Sequence, residues 1–167
     1  FIYIGGLIST GYDEAGQELF LTAQDSYYRL VAMRQALSEA RIPFSFNNCF
    51  EVPFEPGNTD RILQQLIDEN RMPTAFVCFD DVVAVLLLES LTALGLEVPK
   101  DVSVLGFGDV VEGIDLATAT IDTNDMAELA VARIRERISQ GGLGGMTLSV
   151  TSAFKPGGSI GPVKTTK

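Results

Sequence analysis

A chain of 167 residues that is 46% apolar and 20% charged is an ordinary globular composition, enough for one compact domain or two small lobes. Its net charge of −10 opposes attraction to a phosphate backbone, so this segment alone is not a nucleic-acid binder. The absence of histidine removes the commonest general base, the usual serine and cysteine triads and most zinc sites, and no run approaches the roughly 18 apolar residues of a membrane span.

The first four residues, Phe1-Ile2-Tyr3-Ile4, form an apolar strand pattern that ends at Gly5-Gly6. The chain opens on this strand rather than on a signal peptide, and it is expected to be a domain cut from something longer, with any targeting segment upstream out of view. Residues 7–24 are expected to be a long irregular loop. Asp25 or Ser26 can cap a helix to about Ala40, with Leu30, Met33, Leu37 and Ala40 on one face. Residues 49–52 read as a short strand, broken by Pro53, Pro56 and Gly57. Asn58 or Thr59 then caps a helix carrying Ile62, Leu63, Leu66 and Ile67.

Residues 74–79 are apolar and too short for a helix, which makes them a buried strand with Cys78 as a buried thiol. Neither Cys78 nor Cys49 suggests a disulfide, and a reducing cytosol suits both. Asp80-Asp81 opens an apolar helix over 82–94 that stops at Gly95. Residues 102–107 form the next buried strand, 108–118 a loop and 119–122 a short strand. Met126, Leu129, Ala130, Ile134 and Ile138 recur at helical spacing. The glycine run 141–145 is a link, 147–154 a last strand, and the Gly/Pro-rich end a tail. Near-continuous apolar strands alternating with helices predict an α/β fold with a doubly wound parallel sheet. The helix at 126–138 follows no further buried parallel strand and is expected to leave the first lobe.

Right-handed crossovers bring the C-terminal ends of parallel strands to one edge, where small ligands bind in such sheets. Gly5-Gly6, Phe79-Asp80-Asp81, Phe107-Gly108-Asp109 and Asp122-Thr123 converge there, and Arg29 lies at the start of the helix rising from the same edge. A cation in a first helical turn opposes the helix dipole, so an acidic neighbour or a ligand is expected to hold it. Bland roles compete: Asp80 or Asp81 as a helix cap, Asp109 as a turn stabiliser, Arg29 as a solvated cation, and Phe54, Phe79 and Phe107 as core. The Asp-Asp pair follows a later strand and no lysine lies between Lys100 and Lys155, which argues against a phosphate-accepting receiver domain. Gly5-Gly6 lacks the lysine-bearing pattern of a phosphate loop.

With those residues placed, the chain resembles the bacterial LacI/GalR (lactose-repressor/galactose-repressor) family of transcription regulators from Phe1 to about Val150. The similarity is strongest in PTAFVCFDDVVAV and LGLEVPKDVSVLGFGD (73–85 and 94–109), followed by Thr118-Ala119-Thr120-Ile121 and Ala127-Glu128-Leu129-Ala130-Val131. The resemblance implies a periplasmic-binding-protein-like type I sensor whose two lobes close on a small effector, a sugar or related metabolite, with operator DNA held by an upstream helix-turn-helix head absent here. It implies a C-terminal lobe at 1–122, a crossover helix and strand of the other lobe at 123–150, and a return segment and tail at 151–167. By resemblance Arg29 matches the family's effector-binding arginine, Asp80 the amide of an Asn-Asp pair, Gly108 and Asp109 the two acids of a G-F-D-D corner, and Phe54 a stacking aromatic. Phe79 completes the expected effector-binding set. Gly108 departs from the pattern, since sugar-binding members use the aspartate there to accept hydroxyl hydrogen bonds.

The resulting expectation is a cytoplasmic, non-catalytic sensor domain that needs no cofactor or metal and contacts no membrane. It is a homodimer, with the apolar face of 82–91 and the 110–118 loop as candidate contacts; the alternative is that this helix is buried in its own lobe. The loop at 7–24 either lines the cleft or is a surface insertion. The competing function is a secreted solute-binding protein of an uptake transporter, which the V-P-x-D-V-S-V-x-G-F stretch disfavours. An enzyme of the doubly wound class has neither histidine, nucleophile motif nor nucleotide fingerprint behind it.

Overall fold

The structure is a computed structural model that describes residues 1–6, 10–12, 18–20, 24–51, 57–140 and 145–162. In chain order it contains β1 (Ile2–Gly5), β2 (Thr10–Tyr12), β3 (Glu18–Phe20), α1 (Gln24–Glu39), a 3-10 turn (Phe46–Asn48), β4 (Cys49–Glu51), α2 (Asn58–Asp68) and β5 (Ala75–Cys78). It continues with α3 (Asp81–Ala93), β6 (Ser103–Gly108), β7 (Ala117–Ile121), α4 (Thr123–Gln140) and β8 (Ser152–Lys155).

Six strands form one sheet in the order β4-β1-β5-β6-β7-β8. The first five are parallel, and β8 runs antiparallel to β7. The chain steps one way from β1 to β4 and back the other way through β5 to β6. Right-handed crossovers therefore put α1 on one face and α2 with α3 on the other.

The register fixes which side chains share a face. Ile2 pairs with Phe76, Phe76 with Val104, and Gly106 with Thr118, all toward α2 and α3. There they meet Leu63, Leu66, Ala84, Leu87 and Leu91, each with no solvent exposure. Burying one such leucine contributes about 1.5–3 kcal/mol, so this layer carries most of the hydrophobic driving force. The hydroxyls of Thr59 and Ser90, 2.8 Å apart, join α2 to α3 within it. The 82–91 face is thus largely core, and Val82 is the large apolar residue of that stretch that stays exposed.

The opposite face is thinner. Tyr3, Val77, Leu105, Phe107 and Ala119 line up across it. α1 covers its β1 side with Leu30 and Leu37. Beyond α1 lies an apolar groove of about 620 Å³, lined by Met33, Ala36, Val77, Leu105, Phe107 and Ile121 among others.

Several local expectations are corrected. The stretch expected to be an irregular loop contains an antiparallel hairpin, with Thr10 opposite Phe20 and Tyr12 opposite Glu18. α1 begins at Gln24, before the expected caps, because Ser26 works inside the first turn: its hydroxyl accepts from the Gly6 amide at 3.0 Å and lies 3.1 Å from the Tyr3 hydroxyl. Gly57 caps α2, while Asn58 and Thr59 are buried in its first turn. The last strand is shorter than expected and antiparallel. The expected tail is structural, because Ser159 is 3% exposed, donates to the Val104 carbonyl at 2.7 Å and accepts from the Ala117 amide at 2.8 Å. α4 buries none of its residues and exposes Met126, Leu129, Ile134 and Ile138.

Candidate functional site

The parallel strands end together beside the N-termini of α1 and α3, and this edge gathers Arg29, Phe79, Asp80, Gly108 and Asp109. The two acids of the Asp-Asp pair divide their work. Asp80 stands in extended conformation as the N-cap of α3, its Oδ1 accepting from the Val83 amide at 2.9 Å. Burial pushes its carboxyl above the ordinary carboxylate value, against the opposing pull of the Val83 and Val82 amides and the Arg29 charge. Asp81 turns inward and is 1% exposed. Its Oδ1 accepts from the Thr118 hydroxyl at 2.6 Å, and its Oδ2 accepts from the Val110 amide at 2.9 Å. Asp81 thereby ties the start of α3 to β7 and to the turn after β6.

That tie requires Gly106, where a Cβ would collide with Asp81 Oδ1 and approach Leu116 to 2.9 Å. Gly108 adopts φ +122, a backbone conformation that favours glycine, and Asp109 follows at φ +57. The carboxylate of Asp109 accepts from Lys155 Nζ at 2.5 Å, so it links the corner to β8.

Arg29 reaches across from α1. Its guanidinium donates to the Phe79 carbonyl and lies 3.8 Å above the centre of the Phe107 ring. The contact combines charge with planar stacking, a geometry that suits arginine better than lysine. Phe79 serves the edge through this carbonyl, since its side chain is 3% exposed and packs near Gly6. Phe54 lies outside the described residues. Just beneath the edge, burial pushes the Cys78 thiol far up, helped by the negative charges of Asp80 and Asp81. Cys78 is therefore an inert core thiol.

The spacing of the sequence left the partners of three participants open. Phe107, expected at this edge as core rather than as a stacking platform, is the platform under Arg29. Thr118 is a polar residue in a buried strand, a signal that was available but pointed to no partner without the strand register. Lys155 lies 46 residues from Asp109, and only the antiparallel return of β8 brings the two together. Among the described residues no group of three histidine, cysteine or acidic side chains is placed to hold a metal, and no helix is long and apolar enough to cross a membrane. The arrangement brings a stacked guanidinium, its aromatic platform and one partly buried carboxylate to a single strand-end edge.

A family model described as a periplasmic binding protein-like domain matches residues 7–160. The HTH-type transcriptional repressor PurR of Haemophilus influenzae is 31% identical over 107 residues, covering 62% of this chain and 31% of that protein. The chain thus spans about a third of the length of the curated relatives it matches. A LacI-type transcription regulator from Bifidobacterium animalis superposes with a TM-score of 0.76 at 22% identity, over 96% of this chain and 58% of that one. A sugar-binding LacI-family regulator from Escherichia coli, in complex with phosphate, gives 0.75 at 19% identity, over 96% and 55% respectively.

Proposed function

Because the chain belongs to the periplasmic binding protein-like family and is the effector-binding domain of a LacI/GalR-type regulator, we propose that the whole protein binds operator DNA through a helix-turn-helix head outside this chain and is switched by a small metabolite. In this reading residues 1–122 form one lobe of the sensor. Residues 123–150 cross to the other lobe, and 151–167 return. The metabolite sits at the mouth formed by Arg29, Asp80 and the backbone of Gly108, with Phe79 behind Arg29 and Asp109 steadying the corner through Lys155. The exposed apolar residues of α4 fit a helix that packs against another lobe.

The mechanism is a population shift. A ligand that binds the closed pair of lobes better than the open pair moves the equilibrium, and closure changes the spacing of the DNA heads. A coupling of about 1–3 kcal/mol, or roughly 5–150-fold in operator affinity, is the usual scale of such linkage. The protein works in the cytoplasm and performs no catalysis. It acts as a homodimer whose contact includes Val82, Val110 and Ile114, which are exposed at 44%, 65% and 40%.

The observation that carries this reading is the convergence of Arg29, Asp80 and Gly108 on one strand-end edge. The test is operator binding by the full-length protein, followed by fluorescence anisotropy and titrated with a metabolite panel. Arg29→Ala is expected to keep operator affinity and lose the metabolite response. An undiminished response in that variant refutes the site.

A further inference from the structure

Arg29 makes a long reach. It stands on α1, which covers the β1 side of the sheet, and its guanidinium ends over a ring of β6, two strands further on. Neighbouring strands lie about 4.8 Å apart, so β1 and β6 are separated by roughly 10 Å. The guanidinium donates to the Phe79 carbonyl just beyond β5 and rests 3.8 Å above the centre of the Phe107 ring. Arg29 has further interactions besides these two.

The space beside that reach is open. The apolar groove of about 620 Å³ is lined by Arg29, Met33 and Ala36 from α1 and by Val77, Leu105 and Phe107 from the sheet. A long side chain with many rotatable bonds has room to swing there. Strand alternation decides what limits the swing. Leu105 and Phe107 share the groove face, opposite Val77 and Ala119 in register. Phe107 is the last of them before Gly108 ends the strand at φ +122, so its ring lies nearest the mouth. An aromatic face carries negative quadrupole charge and the guanidinium is flat, so the stack fixes both the place of the cation and its plane. An aliphatic residue at 107 would fill the groove floor and supply neither.

We propose that Phe107 is a positioning residue: its ring, together with the Phe79 carbonyl, holds the Arg29 guanidinium at the strand-end mouth and out of the groove. The geometry stands by itself, and its functional meaning rests on the sensor reading above, in which Arg29 belongs to the effector site. Asp80 reports where the cation is. Burial holds its carboxyl up, the Val83 and Val82 amides and the charge of Arg29 pull it down, and Asp81 pushes it up. When Arg29 leaves, the carboxyl loses one of the pulls and rises further.

The test is an NMR titration of the Asp80 carboxyl in full-length protein carrying isotope-labelled aspartate, with Asp80→Asn to assign the signal. Arg29→Met is expected to move the Asp80 titration upward. Phe107→Leu is expected to move it the same way by at least half as much, and Phe107→Tyr, which keeps the ring, to leave it near the natural value. Leu105→Ala opens the same groove floor and leaves the ring in place, so it is expected to leave the titration unmoved. Circular dichroism confirms that each variant folds. An unmoved titration in Phe107→Leu or in Arg29→Met, a shift in Leu105→Ala as large as in Phe107→Leu, or no rescue by Phe107→Tyr overturns the assignment and leaves the sensor reading standing. Failure of the sensor reading shows elsewhere, as operator affinity that no metabolite alters, and leaves the titration result intact.

Discussion

Thr118→Val isolates the tie that holds the strand-end corner in place. The substitution keeps shape and volume close to the original and removes one hydroxyl, which donates to Asp81 Oδ1 at 2.6 Å in a region where both residues are 1% exposed. A hydrogen bond to a charged group is worth about 1.5–3 kcal/mol, and no solvent is available to replace this one. For a domain of this size each kcal/mol moves the melting temperature by about 2–4 °C, so the variant is expected to melt several degrees lower. Chemical denaturation of Thr118→Val, Asp81→Asn and the double variant gives the coupling energy directly. A coupling of at least about 1 kcal/mol is expected, the scale for residues that share a hydrogen bond. Thr92→Val serves as the control, because its hydroxyl bonds the Leu88 carbonyl on the exposed side of α3. If Thr118→Val costs no more than Thr92→Val, or if Asp81 and Thr118 do not couple, the corner is not held by this contact and the argument fails.

Ser159→Ala is expected to destabilise by about 1–3 kcal/mol, because it strands the buried Ala117 amide and takes a donor from the Val104 carbonyl. Urea denaturation measures it, and a change under 0.3 kcal/mol would mean that the closing segment is dispensable. Asp80→Asn keeps a capping oxygen for Val83 but cannot ionise. Because burial raises the carboxyl pKa in the folded state, ionised Asp80 opposes folding. Its favourable contribution is complete below the ordinary aspartate range and is lost as pH rises through the raised folded value. The stability of Asp80→Asn relative to the natural chain is therefore expected to be greater at pH 7 than at pH 3.5, measured by denaturation at both; a difference that is flat or reversed with pH contradicts this.

Much of the fold was legible because parallel strands buried on both faces advertise themselves. The runs around Phe76 and Val104 are apolar, short and bounded by breakers, and α3 begins at Asp80-Asp81 and stops at Gly95 as local chemistry dictates. The closing segment was not legible. A Gly/Pro-rich end reads as a tail, and nothing local to Ser159 reveals that it bonds across to β6 and the start of β7. The hairpin within 7–24 was missed for a related reason: three-residue strands give too little alternation to stand out. At the edge, sequence order brought Arg29, Asp80 and Gly108 into one neighbourhood, because strand ends converge whatever their side chains do. It did not say which acid faces inward. That depends on the space left by Gly106 and on the register that sets Thr118 opposite it.

This division between the two acids bears on how the site changes its chemistry. The inward acid, Asp81, locks α3, β7 and the 108–110 turn from within. Asp109 is anchored outward by Lys155. Neither hold uses a side chain at 108, so the corner keeps its shape when that position carries no carboxylate. A site built this way can exchange one recognition group without dismantling its frame. That frame also includes the guanidinium of Arg29, stacked 3.8 Å above the centre of the Phe107 ring.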